Sequence, residues 1–145
     1  MINTHKDSRH PFEIWLLGAS ALAGTFQLVS GARPGSLSSQ LSPIMQTIWA
    51  ILLGGGALIA LTGVFWSDKT MRSLKIALEL ESIGLLAVAV ACVEYSTAVY
   101  FAVGLDGIYT WIVMGTFALC CLIRRRRIEK VLKPNRSRKK KRPPV

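Results

Sequence analysis

The sequence predicts an all-α integral membrane protein with four transmembrane helices and both termini in the cytoplasm. Three observations carry this expectation. Apolar runs of 16 to 23 residues recur along the chain with at most one charge in each. They lack the period-two alternation of a membrane barrel and the polar stripe of a soluble bundle helix. Finally, Lys and Arg collect on alternate connectors, 17 on one side and one on the other. A bilayer core of about 30 Å needs roughly 20 apolar residues at the helical rise. The spans are expected at about 12–30, 44–66, 77–103 and 108–123, between a cytoplasmic arm (1–11) and a polybasic cytoplasmic tail (124–145).

The first span rests on Ile14 to Val29, which has no charge and follows Phe12. Ala21-Leu22-Ala23 within it also reads as a small-residue cleavage site after a basic N-terminal region. Against cleavage, the run continues to Val29 and the part preceding the site is only about seven residues. The connector "SGARPGSLSSQLSP" has the Gly, Ser and Pro content of an exposed loop, with Ser42-Pro43 suited to cap and open the second helix. Ile44 to Trp66 is uncharged over 23 residues. Its Gly54-Gly55-Gly56 triple is expected to loosen the helix. Ile83 to Val103 is interrupted only by Glu94, and Gly104 to Gly107 reads as a tight turn that makes the last two helices antiparallel neighbours. Ile108 to Ile123 is closed sharply by Arg124.

Orientation follows from the basic residues. Lys6 and Arg9, then Lys69, Arg72 and Lys75, then twelve tail residues fall on one side; Arg33 is alone on the other. An excess of Lys and Arg marks the cytoplasmic face. Trp15, Trp66, Trp111, Tyr109 and Phe12 near the span ends suit the headgroup level, while Trp49 sits deeper. From Arg124 onward the net charge is +11, and residues 1–123 sum to −1. The basicity belongs to one appendage, which removes the usual inference to a nucleic-acid-binding domain.

Small residues four apart (Ser20 and Gly24, Ala50 and Gly54, Gly56 and Ala60) allow close helix approach, within one chain or across a homo-oligomer. The site candidates are the intramembrane acids Glu81 and Glu94, because a carboxylate in a bilayer is costly and marks a pathway or a proton site by default. Glu81 shares a helix face with Leu74, Leu78 and Leu85, whereas Lys75 and Glu79 form a solvated pair one turn apart. Glu94, beside Tyr95, is either interfacial or buried, and Glu13 is expected at the interface. Arg124, Arg125, Arg126, Arg127, Lys130 and Lys133 are expected to contact anionic lipid headgroups, with Ile128, Val131 and Leu132 as a small apolar face lying in the interface. The remainder of the tail has no aromatic residue to stack on bases, so nucleic acid is expected to bind only weakly and without sequence preference.

No catalytic residues, metal site or cofactor are expected. His5 and His10 have no ligand spacing, and Cys92, Cys120 and Cys121 lie in apolar runs without a C-x-x-C pattern. A catalytic triad or a phosphate loop cannot be assembled from this chain.

"RHPFEIWLLGA" (Arg9 to Ala19), "WAILLGGGALIALTG" in the second span and "LELESIGLLAVA" (Leu78 to Ala89) resemble small four-helix membrane proteins of actinobacterial tailed phages. The resemblance covers most of residues 9–123. It implies residence in the host inner membrane, no catalytic residues and holin-like pore formation in host lysis. Two other roles stay open: a membrane-anchored recruiting or superinfection-exclusion protein acting through its tail, and a small ion- or proton-coupled transporter using Glu81 or Glu94.

Overall fold

The computed structural model describes residues 11–66 and 71–132, and every regular element among them is helical. Four long helices, α1 (Pro11–Ser30), α3 (Pro43–Phe65), α4 (Met71–Val103) and α5 (Ile108–Leu132), are joined by a short helix α2 (Gly35–Gln40) and a 3-10 turn (Gly104–Gly107). The arm to residue 10, Lys69, and the tail from Lys133 onward lie outside the described residues.

Three helical stretches are long and apolar enough to cross a membrane: Pro11–Ser30, Pro43–Phe65 and Ser73–Leu132. The last is one stretch by composition but two helices in space, because the chain doubles back at the 3-10 turn, where Gly104 adopts φ 60°. That is a left-handed conformation glycine reaches without steric cost. Ser96 Oγ reaches the Trp111 carbonyl at 3.3 Å near the turn, and Arg124 Nε reaches Glu81 Oε1 at 3.0 Å far from it. α4 and α5 therefore run antiparallel. By helix length and hydropathy the chain is a candidate multi-pass membrane protein.

Local chemistry sets the helix ends. Gly31, at φ 69°, closes α1 with its N–H on the Gln27 carbonyl at 3.1 Å. Ser42 caps α3 by accepting from Met45 N at 3.4 Å, and Pro43 occupies the first turn, as expected. α4 begins at Met71, ahead of the span expected from 77, and α5 runs past the span's end at Ile123 to Leu132, in line with a helical extension that Pro134 is expected to stop. Charged Lys, Arg and Glu are good helix formers, so they mark where an apolar run stops, not where a helix stops. At 1.5 Å per residue, the 33 residues of α4 extend about 50 Å.

The helices pack as a row, α1 on α3, α3 on α4 and α4 on α5, while the Cα atoms of α1 and α5 nowhere approach within 8 Å. Glycine makes the first two seams close. A Cβ on Gly24 would fall on Gly54 Cα and N, and one on Gly84 would fall on Ala60 N and the Gly56 carbonyl. Ser20, Gly24, Ala50, Gly54, Gly56 and Ala60 are thus all buried in seams of this chain. α3 stays a continuous helix through Gly54 to Gly56.

Two segments differ from the sequence expectation. The first connector is not simply exposed: its α2 folds back so that Leu37 is completely buried with Trp49, Ala50, Ala91 and Ala98. Trp49 Nε1 donates to the Ala91 carbonyl at 2.8 Å in this cluster, and its ring stacks on Tyr95. At the opposite end Ile128, expected in the membrane interface, is buried in one cluster with Leu78, with Leu74 and Leu132 packed against it. The early start of α4 supplies the surface that covers it. Val131 alone of that small face remains exposed.

Large apolar side chains lie on both sides of the helices: Leu17, Leu85, Val88 and Ile128 are buried, but many others are exposed. Ala, Gly, Ser, Gln46 and Glu81 are buried, while Phe12, Trp15, Leu22, Phe26, Ile51, Ile83, Phe101 and Leu119 face outward. Outward-facing hydroxyls are satisfied within their own helix: Thr47, Thr62 and Thr97 each donate to the carbonyl four residues back at 2.8–3.0 Å.

Candidate functional site

Glu81 owes its burial to glycine on the neighbouring helix. A Cβ on Gly63 of α3 would lie 2.5 Å from the Ala77 carbonyl oxygen and 2.6 Å from Glu81 N, so only glycine lets α3 press against this turn of α4. Glu81 is left 1% exposed. From the other side α5 delivers Arg124, whose Nε donates to Glu81 Oε1 at 3.0 Å. The same Nε lies 3.5 Å from Glu13 Oε1 of α1, an ion pair without hydrogen-bond alignment. One guanidinium thus ties together three helices that start or end at the same end of the bundle.

Because the backbones of α1 and α5 stay apart, a groove opens between them, with a volume of about 730 Å³. Phe12, Leu16 and Leu17 form one wall, Val113, Phe117 and Cys120 the other, and Leu85 of α4 its floor. The Glu13–Arg124 pair clasps one end, beside Arg127. The clasp is charged and the rest of the lining is nearly all apolar.

The sequence-derived residues separate accordingly. Glu81 is in the clasp and does not line the groove. Glu94 is not brought to it; half-buried on α4, it borders a second, apolar depression with Leu86, Val90, Val93 and Leu122. Arg124, expected on lipid, places its Nε on the two carboxylates, and Arg125 pairs with Glu129 one turn on at 3.0 Å. That Arg125 nitrogen is not aligned for a hydrogen bond. Arg126, Arg127 and Lys130 stay exposed with no ion-pair partner among the described residues, and Lys133 lies outside them. Lys75 and Glu79 form the expected exposed pair at 3.6 Å. No family model, curated protein or solved structure matches the chain.

Chemically, the clasp is a charge-assisted link with a buried carboxylate at its centre. A buried pair is stabilising only when both members stay present, since removing one strands the other in a low dielectric. Among the described residues no three His, Cys, Asp or Glu side chains gather as a metal site. Cys92 and Cys121 are buried, and Cys120 is exposed in the groove wall. Sequence reasoning missed Glu13 and Arg124 as partners of Glu81. Span counting places all three at one level of an antiparallel bundle, but which of four consecutive arginines turns inward depends on helix rotation.

Proposed function

We propose that this chain is a non-enzymatic four-span membrane protein with both termini in the cytoplasm, acting as a holin-like pore former in a bacterial inner membrane. The observation that carries the membrane part is the outward belt of large apolar side chains on every long helix, around an interior in which Ala, Gly and Ser let the helices approach and Glu81 is clasped. Lipid solvates such a belt, while small residues let helices approach where no hydrophobic drive exists between them. The ion clasp, Lys75 and the run Arg124 to Arg127 share one end of the bundle, and the opposite end has Arg33, bound to the Gln27 carbonyl. That asymmetry supports a cytoplasmic basic end.

Pore formation rests on the small all-helical body, the charged end and the resemblance to phage membrane proteins. Induced expression in bacteria, with membrane potential followed alongside growth, tests it. The expected result is an abrupt collapse after a lag, with release of a co-expressed muralytic enzyme. Unchanged potential with the protein recovered in the membrane would reject pore formation. A second reading, recruitment through the basic end, is favoured by Arg126, Arg127 and Lys130, exposed and without an ion-pair partner among the described residues, which leave positive charge on view beyond the clasp.

A further inference from the structure

We propose that the groove between α1 and α5 is a binding site for one anionic phospholipid, with its phosphate held at Arg127 and the outer edge of Arg124 and one acyl chain lying along the apolar floor. This inference rests on the membrane reading above, and not on pore formation. Three observations choose the occupant.

The first is charge. At this end of the bundle every described acid is already engaged: Glu13 and Glu81 with Arg124, Glu79 with Lys75, Glu129 with Arg125. Arg127 lines the groove mouth, exposed and without an ion-pair partner among the described residues. A phosphate complements that surplus, and guanidinium groups suit its planar, two-point recognition. A second copy of this chain would bring the same basic surplus to the same level and be repelled.

The second is length. The α5 wall runs from Arg124 back to Ile112, twelve residues or about 18 Å of helix at 1.5 Å per residue. One leaflet of a bilayer core about 30 Å thick is about 15 Å deep, so the groove matches an acyl chain. A helix crossing the whole core would need about 30 Å.

The third is the shape of the ends. The Glu13–Arg124 pair and Arg127 put all the charge of the lining at one end of a gap between helices that are otherwise apart, so a lipid lying in it has its headgroup at that end and its chain on the apolar side. The lining between is Leu16, Leu17, Leu85, Val113 and Phe117, with no charge above the clasp.

The test uses the full-length chain, recovered from carbonate-washed membranes, stripped of lipid in detergent, and probed by native mass spectrometry and thermal melting. The probes are phosphatidylglycerol, phosphatidylcholine with the same chains, and inorganic phosphate. One phosphatidylglycerol per chain should be retained and raise the melting temperature, with the other two probes doing neither. Arg127→Gln should weaken retention about tenfold, the loss expected for one charge-assisted contact. Cys120→Trp, on an exposed wall position, should block the chain's path while leaving the melting temperature of the lipid-free protein unchanged. Equal retention of both lipids, an effect of inorganic phosphate alone, or unaltered binding in both variants would overturn the proposal. Efficient cross-linking of Cys120 between copies by a short bismaleimide would also overturn it, since the groove would then be filled by a second chain. Recovery of the protein in the soluble fraction would instead reject the membrane reading itself.

Discussion

Arg124 is the residue on which the bundle's charge balance turns. Its Nε serves Glu81, 1% exposed, at hydrogen-bond distance and Glu13, about a quarter exposed, at 3.5 Å. The two contacts should therefore differ in worth. Arg124→Leu leaves Glu81 buried without its guanidinium and should cost about 3–5 kcal/mol. Glu13→Gln removes a longer, partly solvated pair and should cost under about 1 kcal/mol. The double variant Glu81→Leu with Arg124→Leu should recover to within about 2 kcal/mol of the parent, since an apolar replacement carries no desolvation penalty. Reversible unfolding in mixed detergent micelles measures all four proteins. A double variant as unstable as Arg124→Leu would show that Glu81 stabilises the fold independently of Arg124. Glu81 was legible in the sequence as an acid on a leucine face. Its partner was not, because four successive arginines point in four directions and only the rotation of α5 selects one.

At the scale of elements, the end of α5 teaches most. The apolar run ends at Arg124, but helix-forming residues carry α5 on to Leu132, short of Pro134 as the sequence predicts, and what the sequence does not predict is that Ile128 is buried in one core cluster with Leu78 of α4. Truncating Ile128 to Ala should cost about 2–4 kcal/mol locally. Amide hydrogen exchange should then quicken over 124–132 and at the start of α4, with α1 and α3 unchanged. Uniform exchange across all helices in that variant would mean that the extension is not a separable unit. α2 escaped the sequence reading for a related reason. "GSLSSQ" has the composition of a loop, and its one apolar residue carries no periodicity; Leu37 is buried only because α3 and α4 present Trp49, Ala91 and Ala98 beneath it. The Ser42-Pro43 start of α3 and the turn at Gly104 were legible, since both depend on residues adjacent in the chain.

For the whole molecule, topology is the property to test. In the four-span topology proposed above, the basic residues divide 17 to one between the two faces, a bias strong enough to set orientation on insertion. A fluorescent protein fused after Val145 should fold and fluoresce in the cytoplasm. An alkaline phosphatase fused after residue 34, between α1 and α2, should be active outside the inner membrane. Phosphatase activity from the C-terminal position would invert the orientation and remove the lipid proposal's headgroup level with it. The row-like packing also bears on function, for it leaves the flanks of α1 and α5 open as a groove that a closed four-helix ring would fill.

By itself the sequence determined what depends on local composition: helical class, apolar stretches long enough for a membrane, the basic end and the two unusual acids. Those follow from transfer energies and helix length, which each segment carries whether or not its neighbours are present. Only the tertiary structure decided which acid is clasped and which is not, that Arg124 faces inward while Arg127 faces the groove, and that α1 and α5 stand apart. Those are matters of rotation and approach, set by glycines such as Gly63 meeting a particular turn of a helix elsewhere in the chain.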